Sequence, residues 1–167
     1  MTFSSFHFLT YKSFKMKTIK YLLLVIVFSF TSISMAQIAP VDDNGLAIGG
    51  YDVVAYFSGK AEKGHKSYSA KYNGVTYYFA NATHSNAFKK SPKKYLPQFD
   101  GYCAWGVGEK ESKFPINPET FDIVDGKLYL FFNGPLDGKP FNTLEPWKAE
   151  TARLMKAAHM NWNKIKK

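Results

Sequence analysis

A single cysteine, Cys103, stands in a chain of 167 residues. That scarcity excludes an internal disulfide and a cysteine-rich metal cluster, so the thiol must be buried, reactive, metal-bound or paired with another molecule. Long hydrophobic runs are missing as well. The run from Tyr21 to Phe30 covers half of the roughly 20 residues a membrane-spanning helix requires, so no permanent membrane anchor is expected. The glycines lack the strand, helix and phosphate-cradling spacing of a nucleotide site. Acidic residues are few, 13 against 22 basic ones, but part of that imbalance belongs to the first 36 residues.

Within those 36, Lys17 and Lys20 precede the apolar run, and the small-residue stretch Thr31 to Ala36 follows it. This three-part pattern predicts a secretory signal peptide over residues 1–36, with Met16 as an alternative start and Ser34 and Ala36 in the two small positions before the cut. The expected product is exported, periplasmic or secreted. No cysteine follows the cut, which disfavours a lipid anchor. The leader holds four of the basic residues (Lys12, Lys15, Lys17, Lys20) and no acidic one, so its removal lowers the formal net charge from +9 to +5 and leaves 131 residues, enough for one domain. Lys89, Lys90, Lys93 and Lys94 remain as a positive cluster that reads as a solvated helix face. No nucleic-acid partner is expected.

Residues 37–48 read as an irregular N-terminal tail, and Tyr51 to Phe57 as a short buried segment. Two β-prone runs, Ser67–Tyr72 and Val75–Ala80, are joined by Asn73-Gly74, a dipeptide suited to two-residue hairpin turns. Alternation places Tyr68, Ala70 and Tyr72 on one face and Val75, Tyr77 and Phe79 on another, predicting a hairpin held by aromatic cross-strand pairs. Asn81 then reads as the cap of a helix reaching Lys89, which also explains the formal sequon Asn81-Ala82-Thr83, and Ser91-Pro92 restarts a turn toward Tyr95. Asp125-Gly126 predicts a second hairpin from Phe121–Val124 and Lys127–Phe132. A longer C-terminal helix is expected from Leu144, capped by Thr143. Its stripe of Leu144, Trp147, Thr151, Leu154, Ala158, Trp162 and Ile165 faces the core. The fold class is therefore α+β: small antiparallel β-hairpins packed with short helices and one longer C-terminal helix.

Taken in order, Gly50 to Phe57, Tyr72-Asn73-Gly74 with Tyr77-Tyr78-Phe79, Ala87-Phe88, and Ser91-Pro92-Lys93-Lys94-Tyr95 resemble the YHS domain in its exported, single-domain form. Gly101-Tyr102-Cys103-Ala104, Asp125 to Tyr129 and Asn161-Trp162 complete the likeness, which assigns residues 49–167 to one YHS-like domain. The resemblance implies a compact α+β fold. It also implies soft-metal or redox chemistry at Cys103, because related domains occur in copper transporters and some exported members carry selenium at the matching position. The paired cysteines of metal-binding relatives are absent.

The soft ligands outside the leader are Cys103, His65, His84 and His159. No two lie two to four residues apart, so a closed zinc site is not indicated. Cu(I) suits a thiolate with one or two imidazoles. The expected metal ligands are therefore Cys103, His84 and His65, with a metal ion as the expected partner and a protein partner undefined. Two other readings stand beside this one: a thiol-based redox protein, and a non-catalytic interaction module in which Cys103 is a buried structural thiol. Cys103, His84 and Asp100 or Asp122 supply the residue types of a nucleophilic triad, but no hydrolase signature surrounds them. The tyrosines and Trp105 read as core before they read as a pocket for a flat ligand.

Overall fold

Positive φ at Asn73 (49°) and Gly74 (81°) closes the first hairpin, as the turn dipeptide requires. It joins β1 (His65–Tyr72) to β2 (Val75–Phe79). The computed structural model describes residues 37–167, so the expected signal peptide and its cleavage site lie outside the described residues. Pairing is regular from Tyr72 opposite Val75 to Ser69 opposite Tyr78, and then a bulge shifts His65 opposite Phe79. Tyr68 falls within the irregular stretch and is 39% exposed, while Ala70 and Tyr72, in the regular part, are half-buried. Among the described residues the hairpin's rings are not paired across the strands as expected. Tyr72, Tyr77 and Phe79 all meet Phe88, which projects from α1 (Ala82–Lys90).

The Asn81 side chain accepts the His84 N–H at 2.9 Å and so caps α1 as expected. After α2 (Pro92–Tyr95) comes a short 3-10 segment, Gln98–Gly101, and then α3 (Ala104–Lys110). Sequence reasoning did not anticipate α3, because Gly106 and Gly108 are poor helix formers. Their lack of a side chain is what seats the helix. A Cβ at Gly108 would lie 2.8 Å from the Leu154 carbonyl oxygen, and one at Gly106 would lie 2.2 Å from the Phe114 ring.

The second hairpin, β3 (Asn117–Val124) and β4 (Lys127–Phe131), turns at Asp125-Gly126. A third, β5 (Asn133–Leu136) and β6 (Lys139–Asn142), turns at Asp137-Gly138 by the same left-handed chemistry. Pro135 and Pro140, paired opposite each other, hide it from a sequence reading because proline argues against strands. Among the described residues the hairpins stay separate two-stranded sheets, and isolated bridges Pro97–Leu128 and Cys103–Leu130 tie β4 to the stretch between α2 and α3. The fold is α+β. Residues 37–48 are irregular but docked, with Ile38 bridged to Ile116 and Leu46 to Thr76.

The expected C-terminal helix is two helices, α4 (Leu144–Ala149) and α5 (Thr151–Ile165), interrupted at Glu150. The Thr151 hydroxyl donates to the Trp147 carbonyl at 2.9 Å, competing with the helical backbone bond at that step. The expected stripe still faces inward, with Trp147, Leu154 and Ala158 buried. Trp147 packs on Tyr129 and Phe131, and Phe99 carries the aromatic core on to Trp162.

Candidate functional site

Cys103 lies where α3, β4 and the start of α4 converge, and it is fully buried. Its backbone N–H donates to the Phe114 carbonyl, and the chain bridges to Leu130 in β4. Sγ then caps α3 by accepting the Gly106 N–H at 3.4 Å and accepts the Phe132 N–H at 3.3 Å. Thr143 Oγ1 sits 3.3 Å from the sulfur. That hydroxyl has one proton, and it donates it to the Phe132 carbonyl at 2.9 Å. The thiol is therefore left as the donor toward Thr143. Every hydrogen-bonding capacity of Cys103 is thus met within the protein.

Burial pushes the Cys103 thiol above its ordinary pKa, and the surrounding hydrogen bonds oppose that effect without cancelling it. A protonated, inaccessible sulfur follows. Thr143, expected as a helix cap, makes no side-chain cap bond; Asn142 Oδ1 accepts the Leu144 N–H at 3.1 Å instead. Beyond Thr143 a hollow of about 60 Å³ is walled mainly by the rings of Trp105, Phe114, Phe132 and Phe141.

His84 belongs to a different cluster. Its Nδ1 lies 2.6 Å from Asp52 Oδ2, and Asp52 is fully buried while His84 is partly exposed. The same carboxylate accepts the N–H groups of Val54 at 2.8 Å, Ala55 at 3.3 Å and Ala80 at 2.8 Å. Asp52 so ties the buried 51–57 segment to the end of β2 and to α1. Against a carboxylate acceptor, Nδ1 is the donor. Sequence reasoning missed Asp52, though an acid inside the apolar run Tyr51 to Phe57 is a visible signal of a buried acceptor.

His65 is exposed at the start of β1. His159 packs on Phe99 with ring centroids 5.1 Å apart, and burial with the nearby Lys127 lowers its pKa. The residues expected as ligands are therefore dispersed, with Cys103 bonded to Gly106, Phe132 and Thr143, and His84 to Asp52. No group of three His, Cys, Asp or Glu side chains able to hold a metal ion occurs among the described residues. The triad types do not assemble either, since neither Asp100 nor Asp122 contacts His84 or Cys103 through a hydrogen bond among the described residues. Comparison of the chain with protein-family models, with curated proteins and with solved structures finds no match in any of the three.

Proposed function

We propose that this protein is an exported, non-catalytic binding module of the YHS kind, in which Cys103 anchors the fold and does not serve as a metal or redox centre. The observation that carries this reading is the saturation of Cys103: it has no exposed surface, two backbone N–H groups donate to it, and its own proton points to Thr143. A soft-metal site needs further ligands within bonding distance, and a redox thiol needs access and thiolate character. Each is opposed by this environment. The resemblance to the exported YHS branch and the leader pattern support the export part of the reading.

The test is alkylation of the folded protein with a maleimide, beside a Cu(I) competition titration. Cys103 is expected to resist modification under native conditions and to react at once in denaturant. Rapid native-state alkylation, or one equivalent of Cu(I) held by the protein and lost in Cys103→Ser, would sink the reading.

A further inference from the structure

A pocket of about 380 Å³ opens between the first hairpin, the docked N-terminal segment and the stretch from Leu96 to Asp100. That volume lies within the roughly 300–1,000 Å³ of small-molecule sites. Its walls include two tyrosines, Tyr72 and Tyr77, together with Ile48, Pro97 and Asp100, and among the described residues Asp100 is the only charged one lining it. Among the described residues no hydrogen bond engages the Asp100 carboxylate or the hydroxyls of Tyr72 and Tyr77. Burial, then the charge of Asp100 and the proximity of Tyr72, push Tyr77 up to about 12.

The backbone around the pocket is held in unusual conformations. Ile48, Gly49 and Gly50 have φ of 48°, 56° and 79°, and Phe99, Asp100 and Gly101 have φ of 56°, 50° and 85°. Left-handed geometry is costly for a β-branched or aromatic residue. The two runs meet: a Cβ at Gly101 would lie 3.0 Å from Ile48 Cδ1. Asp100 is exposed at the pocket wall, on left-handed backbone of the kind that clusters at ligand sites, and no hydrogen bond among the described residues draws its carboxylate away from the pocket.

We infer that this pocket binds a small organic ammonium cation, with Asp100 as counter-ion, the tyrosine rings as cation-attracting walls and Ile48 and Pro97 against the ligand's apolar part. A lone carboxylate beside two tyrosines, Asn73 and apolar walls, with no lysine or arginine among the described lining residues, favours a cation carrying a hydrocarbon body. The inference deepens the binding-module reading and rests on it.

The purified full chain is titrated with phenethylammonium and, in parallel, with its neutral counterpart 2-phenylethanol, by calorimetry and by NMR shifts at Tyr72, Tyr77 and Asp100. The cation is expected to bind about tenfold or more tightly than the alcohol, with the shifts confined to this pocket. Asp100→Asn, which keeps the shape and tolerates the left-handed backbone, is expected to remove that preference while leaving the melting temperature unchanged. No binding of the cation, equal binding of cation and alcohol, or an Asp100→Asn variant that keeps the preference would each overturn the inference. Cation binding lost while Cys103 stays shielded from alkylation condemns the pocket alone. Cation binding in a protein whose Cys103 alkylates freely condemns the reading of the thiol.

Discussion

Cys103 and Asp100 stand three residues apart in the chain, yet the fold treats them in opposite ways. The sulfur is enclosed, and its proton and lone pairs are all engaged by Thr143, Gly106 and Phe132. The carboxylate is exposed, carried on left-handed backbone at a pocket wall, and has no hydrogen-bond partner among the described residues. The residue that looks most reactive by type is thus the one most fully used by the structure. Binding calls for a group that solvent, not the protein, engages, and the proposed ammonium site has that group in Asp100.

The contrast is broken most severely by Cys103→Leu. The substitution removes the acceptor of the Gly106 and Phe132 N–H groups and forces added volume into a closed site. Loss of a helix cap, an orphaned buried N–H and overpacking together are expected to cost about 3 kcal/mol or more. Cys103→Ser keeps the capping chemistry in a smaller side chain and should cost about 1 kcal/mol, from the space left behind. Urea unfolding of both variants checks the order. Equal, small losses would mean that the thiol is not an anchor.

Much of this framework is legible in the sequence, and the limits have definite physical causes. Asn73-Gly74 and Asp125-Gly126 announce their hairpins because positive φ is a local demand, met by few residue types. The Asn81 cap and the inward stripe of the last helix are read from local spacing in the same way. What stays hidden depends on partners distant in sequence. The α3 glycines fail as helix formers until Phe114 and Leu154 press against them, and Thr143 reads as a cap until its hydroxyl is seen on Phe132. At the site, Cys103 is conspicuous by being single, but its closure rests on residues up to 40 positions away. The expected pairing of His84 with Cys103 gives way to Asp52, which satisfies the histidine from the buried 51–57 segment. Asp100 looked like a spare triad member only, because the pocket beside it is built from three separated stretches.

Alkaline titration sharpens the comparison next. Burial raises the Cys103 pKa from 9.0, so below that value the folded and unfolded thiols are both protonated and the burial stabilises fully. As pH climbs past 9.0, the unfolded thiol ionises while the folded one does not, and stability falls by about 1.4 kcal/mol per pH unit until the folded thiol also ionises. Tyr77, raised from 10.0 to about 12, adds a loss of the same sign between those values. Denaturant midpoints measured across this range are expected to decline from about pH 9 in the native protein. In Cys103→Ser the decline should begin only with the tyrosines, near pH 10. An unchanged onset would show that the thiol contributes no burial-linked proton.

The smallest effect has the opposite sign. Asp100 holds φ of 50°, in a run where Phe99 and Gly101 are also left-handed, and no hydrogen bond among the described residues rewards its carboxylate for being there. Glycine adopts that backbone without the Cβ conflict, although it gives the unfolded chain more freedom. The balance predicts that Asp100→Gly stabilises the protein by about 0.5 kcal/mol while abolishing the preference for an ammonium ion over its neutral counterpart. A gain in stability joined to a loss of binding would separate what the residue does for a ligand from what it does for the fold. A stability loss instead would mean that Asp100 is held in place by the protein's own contacts, and the contrast with Cys103 would disappear.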